Sequence, residues 1–274
     1  MGVQHTRQHG EKRDEEDIAK GDPAIGDGQI KPRIAHKARG HGPDQKRHRH
    51  RANQHQRQQN GRQARKGVLG KGFGILACLN IKDGTEVWKV DVVKSLGGEL
   101  QGWGYTESVL IDGDHVICTP GGQQGTMAAL HKKTGAVVWQ SSKLKGPAQY
   151  SSPIRIEVNG QPQYAQLLMN KVVGIAPKDG ALLWETSFPG RVAVIPTLVF
   201  HDNSVYATAG YGTGCQMIKL DGAEPEVVYE EKSITNHHGG VIVVDGKIYG
   251  HSDKGGWTCQ DFLTGKIEWQ DESL

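Results

Sequence analysis

The sequence predicts an all-β fold made of repeated four-stranded antiparallel sheets over residues 71–274. A short turn motif that ends in tryptophan occurs four times in this region, and strand-opening segments recur at intervals of 44 residues. No segment of the region shows the periodicity of an amphipathic helix. Fixed-period repetition of this kind is the sequence pattern of a repeat architecture.

The recurring motif is Asp or Thr followed by Gly, three further residues and Trp. In such a hairpin the glycine adopts a positive φ, and the Asp or Thr side chain bonds the turn backbone. The tryptophan then buries a large flat surface between neighbouring sheets. The predicted sheet-docking residues are Trp88, Trp139, Trp184 and Trp269, together with Tyr229 in a fifth copy that has a longer turn at Asp221-Gly222.

A second series supports the same period. Strand-opening segments start at Ser108, Ser152, Pro196 and Gly240, which are 44 residues apart. Each is followed by a turn and a returning strand, so two strands precede the motif and two surround it. Four strands in about 44 residues match one blade of a β-propeller, and antiparallel pairing of this kind argues against a parallel β-helix or a helical solenoid.

The motif resembles the quinoprotein-type repeat, which is named after pyrroloquinoline quinone (PQQ), over residues 75–274. The runs Gly102-Trp-Gly-Tyr and Asn236-His-His-Gly-Gly are similar to those of uncharacterised bacterial propellers of the planctomycete type. The resemblance implies closed rings of seven or eight blades, whereas this chain has a half blade at 73–91 followed by four blades. We therefore expect a fragment: an open arc of about four and a half blades with apolar faces exposed at both ends.

The N-terminal region differs sharply in composition. Its first 66 residues carry 16 Lys and Arg against 8 Asp and Glu, and they contain no aromatic residue and no cysteine. This composition predicts a disordered basic head over residues 1–70, and it fits a misassigned start equally well. The charge would suit nucleic acid, but a tail without stacking aromatics is more typical of a solvated segment. Nucleic-acid binding is therefore not predicted.

No stretch of 18 apolar residues is present, so no membrane span is predicted. The N-terminus of the chain as given also lacks the apolar core of a secretory signal. The resemblance nevertheless implies an exported or periplasmic protein. Cys78 and Cys259 each lie ten residues before a motif tryptophan, where other blades have Ala129 and Gly174. This pattern predicts a small buried position rather than a reactive thiol.

The candidate ligand site lies in the loops that enter the innermost strands. In a propeller these strands line the central channel, so the loops should meet at one mouth, where ligands commonly bind. A small polar or anionic ligand, or a partner protein, would bind there. Adjacent histidines on a strand point to opposite faces, so no metal site is predicted. The candidate residues are Tyr105, Glu107, Tyr150, Ser151, Arg191, His237 and His238.

Two functions follow from the resemblance. One is a non-catalytic binding or assembly scaffold, similar to the outer-membrane assembly propellers built from the same repeat. The alternative is an oxidoreductase like the PQQ-dependent alcohol dehydrogenases, in which a disulfide between adjacent cysteines, a catalytic Asp and a calcium ion hold the quinone. This sequence has no Cys-Cys pair. PQQ therefore stays an expectation from the resemblance alone, and no catalytic residue is assigned.

Overall fold

The structure is a computed structural model, and it describes residues 66–71, 73–99 and 101–273. Within them, nineteen strands form five antiparallel sheets in which sequence neighbours pair. The first sheet contains β1 (Lys66–Lys71), β2 (Ile75–Asn80) and β3 (Glu86–Asp91). The second contains β4 (Leu110–Asp112), β5 (His115–Cys118), β6 (Ala128–His131) and β7 (Val137–Gln140).

The three remaining sheets repeat this order. The third contains β8 (Ile154–Val158), β9 (Gln161–Leu167), β10 (Lys171–Ile175) and β11 (Leu182–Ser187). The fourth contains β12 (Val199–His201), β13 (Ser204–Ala209), β14 (Gly214–Lys219) and β15 (Glu226–Glu231). The fifth contains β16 (Val241–Val244), β17 (Lys247–Ser252), β18 (Gly256–Asp261) and β19 (Ile267–Asp271). The predicted all-β architecture of four-stranded antiparallel sheets is confirmed, as in a partial β-propeller.

Two features at the start of the described region differ from the expectation. The strand β1 begins at Lys66, inside the range predicted as basic head, and it adds a third strand to the expected half blade. The rest of the predicted disordered head, residues 1–65, lies outside the described residues. The charged Lys66–Lys71 segment lacks the long alternating pattern that identifies a strand, and this is why composition alone missed it.

A short helix also follows the first sheet. The helix α1 (Val92–Leu96) begins where the side chain of Asp91 accepts hydrogen bonds from the backbone N–H groups of Val93 and Lys94, both at 3.1 Å. It ends at Gly97, whose φ of 63° is left-handed. These are ordinary helix-capping residues at both ends, but five residues are too few for an amphipathic repeat to appear in the sequence. No helix in the described ranges is long and apolar enough to cross a membrane.

The cores lie between consecutive sheets. Four apolar clusters each combine side chains from two neighbouring sheets, and the largest joins the third sheet to the fourth. Cys78 and Cys259 are buried directly opposite Trp88 and Trp269 on the adjacent strand, as expected for a small core position. Stability therefore depends on contacts between sheets as well as on the hydrogen bonds within each sheet.

The motif aromatics at three positions dock on the turn glycine of the next sheet. The pairs are Trp88 on Gly135, Trp139 on Gly180 and Tyr229 on Gly265, and a Cβ on each glycine would lie 2.7, 2.5 and 3.0 Å from the ring. In each pair the aromatic N–H or O–H donates to the carbonyl three residues before that glycine. These bonds are 2.9 Å to Lys132, 3.0 Å to Pro177 and 2.9 Å to Phe262.

Trp184 differs from the other motif aromatics. Its ring packs partly against the apolar cluster between the third and fourth sheets, but its N–H donates to Gln163 Oε1 in its own sheet, at 2.7 Å. The longer turn of the fourth sheet explains this, because Gly222 has no ring near it. Trp184 instead lies over Gly174, where a Cβ would be 2.1 Å from its ring nitrogen.

Gly174→Ala should therefore destabilise the protein by about 2 kcal/mol, because the new methyl group must displace the Trp184 ring from its hydrogen bond. Urea unfolding followed by tryptophan fluorescence would measure the loss. Gly102→Ala is the control, since a Cβ at Gly102 would have nothing within 4 Å. An unchanged free energy of unfolding for Gly174→Ala would contradict the observed packing.

Candidate functional site

The predicted mouth residues lie in the loops that enter β4, β8 and β16 and in the loop before β12. The contacts among them divide most of the set into three local groups rather than one ring of converging side chains. The first group contains Tyr105 and Glu107, the second contains Tyr150 and Ser151, and the third contains His237 and His238. Arg191 is exposed, and within the described part of the chain no hydrogen bond, ion pair or ring contact joins it to these groups.

The first group lies in a crevice between the first and second sheets. The Tyr105 hydroxyl donates to the carbonyl of Pro120 at 2.6 Å, and Glu107 Oε1 accepts from the Thr119 backbone N–H at 2.6 Å. Glu107 Oε2 is enclosed and has no hydrogen-bond partner among the described residues. Glu107 is one of the residues that line a cavity of about 30 Å³, which is large enough for a water molecule. The cavity is lined by apolar groups that include Ile75, Leu76, Val92, Val109 and Cys118.

Burial dominates the electrostatics of this crevice. Loss of solvation raises the pKa of Glu107 from 4.5 to about 7, although the hydrogen bond from Thr119 opposes the shift. Burial, and secondly the charge of Glu107, raises the pKa of Tyr105 to about 12. The pKa of the Cys118 thiol is raised well above its ordinary value for the same two reasons. The crevice thus favours neutral groups, and Tyr105 and Glu107 hold the loops together.

The second group combines a buried and an exposed aromatic ring. Tyr150 is buried, and Trp103 contacts its ring edge-on with centroids 5.7 Å apart. The Trp103 side chain is 65% exposed, so most of its indole surface faces solvent. Ser151 is fully buried, its carbonyl accepts from Gln166 Nε2 at 3.0 Å, and its hydroxyl has no partner among the described residues. Of this group, Trp103 is the residue able to contact a partner.

The third group is a row of three rings in contact, which we call the histidine stack: Tyr211, His237 and His238. The two imidazoles are stacked, whereas the Tyr211 ring is tilted by 59° from His237. The Tyr211 and His237 centroids are 4.2 Å apart, and the two imidazoles lie 4.4 Å apart and only 9° from parallel. The two histidines do not point to opposite faces as expected, because residues 235–239 form a loop and not a strand. Sheets four and five both contribute to the stack, since Tyr211 lies between β13 and β14.

Further residues surround the histidine stack. Asp253 Oδ2 lies 3.7 Å from His237 Nδ1, which is too long for a hydrogen bond but places a carboxylate beside the imidazole. Tyr211 itself has a φ of 58°, an unfavourable conformation for a residue with a side chain. Gly210 allows the close approach, because a Cβ there would lie 2.8 Å from the His237 Cα. Neither Tyr211 nor Asp253 was predicted, since nothing in the 44-residue period links them to His237.

The residues do not fit the quinone and calcium site that the resemblance implies. Among residues 73–99 and 101–273, no three His, Cys, Asp or Glu side chains are placed to share a metal ion. The cysteines are all buried, and each lies on a different strand: β2, β5, β14 and β18. The candidate residues offer ring surfaces and hydrogen-bonding groups rather than the ligands of a metal-bound redox centre.

Comparisons with known proteins agree with this fold. BamB from Moraxella catarrhalis has a similar structure, with a TM-score of 0.57 and 20% sequence identity over 78% of this chain and 60% of that one. The quinohemoprotein alcohol dehydrogenase of Comamonas testosteroni aligns with a TM-score of 0.56 and 12% identity over 75% of this chain and 41% of that one. This chain thus spans less than two thirds of either protein. A comparison with curated proteins found no match.

A family profile matches a larger part of this chain than either of these two structures does. The profile is PQQ_2, described as outer membrane protein assembly factor BamB, and it matches residues 51–271. This range includes all five sheets up to the last strand. The predicted resemblance to PQQ-repeat propellers is confirmed, and the chain belongs to the PQQ_2 family of BamB-like propellers.

Proposed function

We propose that this chain is a non-catalytic binding scaffold that holds an extended segment of a partner protein at the histidine stack. The observation that carries the proposal is an exposed row of aromatic rings in mutual contact, built by two sheets, with the Asp253 carboxylate beside it. Rigid aromatic side chains supply much of the binding energy at protein interfaces, because little side-chain freedom is lost on binding. The name of the family, an outer membrane protein assembly factor, supports a protein segment as the ligand.

The chemistry of the stack defines the partner. The Tyr211 ring and the outer face of His238 offer flat apolar surface, while the ring nitrogens and the Asp253 carboxylate offer hydrogen-bonding groups to a peptide backbone. The strands of outer-membrane barrels alternate apolar and polar residues and carry aromatic belts, so they present both features at once. A location in the cell envelope, where such segments occur, belongs to this proposal.

We expect a labelled peptide of about ten residues with alternating aromatic and polar positions to bind the full chain saturably in a fluorescence-anisotropy titration. Tyr211→Ala and His237→Ala should each weaken binding at least about tenfold, the loss typical of an aromatic interface anchor. Val138→Ala on the outer strand β7 is the control, because Val138 is also exposed but lies elsewhere. Equal binding by all three variants would overturn the proposed site.

The oxidoreductase alternative has a direct test in the same protein. A titration with PQQ and calcium, followed by dye reduction with an alcohol as electron donor, would reveal a functional quinone site. Saturable quinone binding with dye reduction would favour the enzyme over the scaffold. We expect neither, because the donor set does not fit that cofactor.

A further inference from the structure

A second cavity lies beside the histidine stack, between the first strands of the fourth and fifth sheets. Its volume is about 290 Å³, far larger than the 30 Å³ beside Glu107. Residues 195–199 line one side, and Gly239, Gly240 and Val241 line the other. We call this cavity the entry groove. An apolar cavity of about 150 Å³ already holds a benzene ring, so the entry groove has room for one large side chain.

One short loop joins the entry groove to the histidine stack. Gly239 directly follows His238 in the chain. The buried Asn236 closes this loop, because its Oδ1 accepts from the Gly240 N–H at 3.1 Å and its Nδ2 donates to the His251 carbonyl at 2.9 Å. The exposed ring of His238 and one side of the groove are therefore neighbours on the same closed loop.

The glycine pair leaves its side of the groove without side chains. Gly239 and Gly240 have φ values of 87° and 71°, a conformation that favours glycine. A Cβ at either position would have nothing within 4 Å. This side of the groove thus presents peptide groups and open space.

The same place between the second and third sheets is closed by a hydrogen bond. There the Ser108 N–H donates to Ser152 Oγ at 2.8 Å, across 44 residues. The corresponding residues of the fourth and fifth sheets are Pro196 and Gly240. Proline has no N–H and glycine has no hydroxyl, so this bond cannot form between them. The entry groove is therefore a local departure from the repeat.

The composition of the groove defines its occupant. Ile195, Pro196 and Val199 supply apolar surface, whereas the Thr197 hydroxyl and the peptide groups of the glycine pair supply hydrogen-bonding groups. An aliphatic side chain would leave these polar groups without partners. A tyrosine matches both kinds of surface, because its ring is apolar and its hydroxyl both donates and accepts.

We infer that the entry groove takes a tyrosine side chain of the partner segment bound at the histidine stack. This inference rests on the proposed function, and it adds the residue that determines which segment binds. Side chains two positions apart on an extended segment share a face. The tyrosine therefore lies two residues from the side chain that packs on His238.

The test uses the full chain and two labelled peptides in fluorescence anisotropy. Both peptides have a central phenylalanine as the anchor, and the positions two residues before and after it are Tyr in one peptide and Ala in the other. The wild type should bind the tyrosine peptide at least about tenfold more tightly, as expected for a buried aromatic anchor. Thr197→Phe fills the groove, so this variant should bind both peptides with the weaker affinity.

Thr186→Phe is the matched control, because Thr186 is also partly exposed but lies on the outer strand β11. Circular dichroism and thermal melting would verify that both variants are folded. Equal affinity of the wild type for the two peptides, or an unchanged preference in Thr197→Phe, would overturn the inference. The histidine stack would then still stand as the binding site, provided that Tyr211→Ala and His237→Ala weaken binding.

If neither peptide binds, the proposed function fails, and N-acetyltyrosinamide then tests the groove by itself. Ligand-observed nuclear magnetic resonance would measure its binding to the wild type and to Thr197→Phe. Saturable binding that Thr197→Phe abolishes would support the groove as a tyrosine site. Absence of binding to the wild type, or equal binding by the two proteins, would overturn it.

Discussion

Trp139→Ala should lower the free energy of unfolding by about 3–5 kcal/mol, the usual cost of removing a buried large aromatic ring. The substitution removes four kinds of contact that the Trp139 ring makes. Its ring packs on the Gly180 turn, it stacks on Tyr164 with centroids 6.4 Å apart, it fills the cluster between the second and third sheets, and its N–H donates to Pro177. Urea unfolding followed by far-ultraviolet circular dichroism would measure the loss.

The matched control for this prediction is Trp269→Ala. It removes the same residue type from the same motif, but at a position where the ring is half exposed and covers no turn. The free energy of unfolding of this variant should fall by less than about 1 kcal/mol, as is usual away from a packed core. Similar losses for the two variants would mean that the ring stabilises its own sheet rather than the contact between sheets.

Glu107→Gln should remove a large part of the pH dependence of stability. The folded carboxyl has a pKa of about 7 instead of 4.5, so between these values the folded protein holds a proton that the unfolded chain has lost. Stability must then fall as pH rises, and the contribution that is fully present below pH 4.5 is lost as pH passes about 7. For the wild type this loss is on the order of 3 kcal/mol, since one pKa unit corresponds to about 1.4 kcal/mol.

The glutamine variant keeps the shape and the acceptor for the Thr119 N–H but carries no ionisable proton. We therefore expect it to gain stability relative to the wild type at pH 8 and to differ little at pH 4.5. Urea titrations at pH 4.5, 6, 7 and 8 would measure the difference between the two proteins. Glu157→Gln, at an exposed position on β8, is the control, and its stability should change with pH in the same way as that of the wild type. If the stability of Glu107→Gln also changed with pH in the same way as that of the wild type, the Glu107 carboxyl would have to be solvated.

The repeated sheets were predictable because local chemistry determines them. The turn pairs Asn159-Gly160, Asp202-Asn203 and Asp245-Gly246 all adopt the positive φ values that two-residue hairpins require. The motif glycines and aromatics likewise predicted that neighbouring sheets pack on each other at these residues. The departure of Trp184 could not be seen from its own motif, because it depends on the longer turn at Gly222 in the following sheet.

The candidate site was predictable only in part. The 44-residue period located the entry loops correctly, but it gave no information on which way a loop side chain points. Alternation along a strand predicted opposite directions for His237 and His238, and the loop conformation brings their rings together instead. Asp253 and Tyr211 come from other loops, and their contacts with His237 arise only from the packing of two sheets.

The position opposite each motif aromatic has a consequence for protein engineering. Tryptophan faces Cys78, Ala129, Gly174 or Cys259, whereas the smaller Tyr229 faces the larger Met217. The larger ring is thus paired with the smaller opposing residue, so the two members of a pair partly compensate each other in size. Redesign of one blade therefore needs coordinated exchanges, such as Met217→Ala together with Tyr229→Trp, because either change alone leaves a void or a clash.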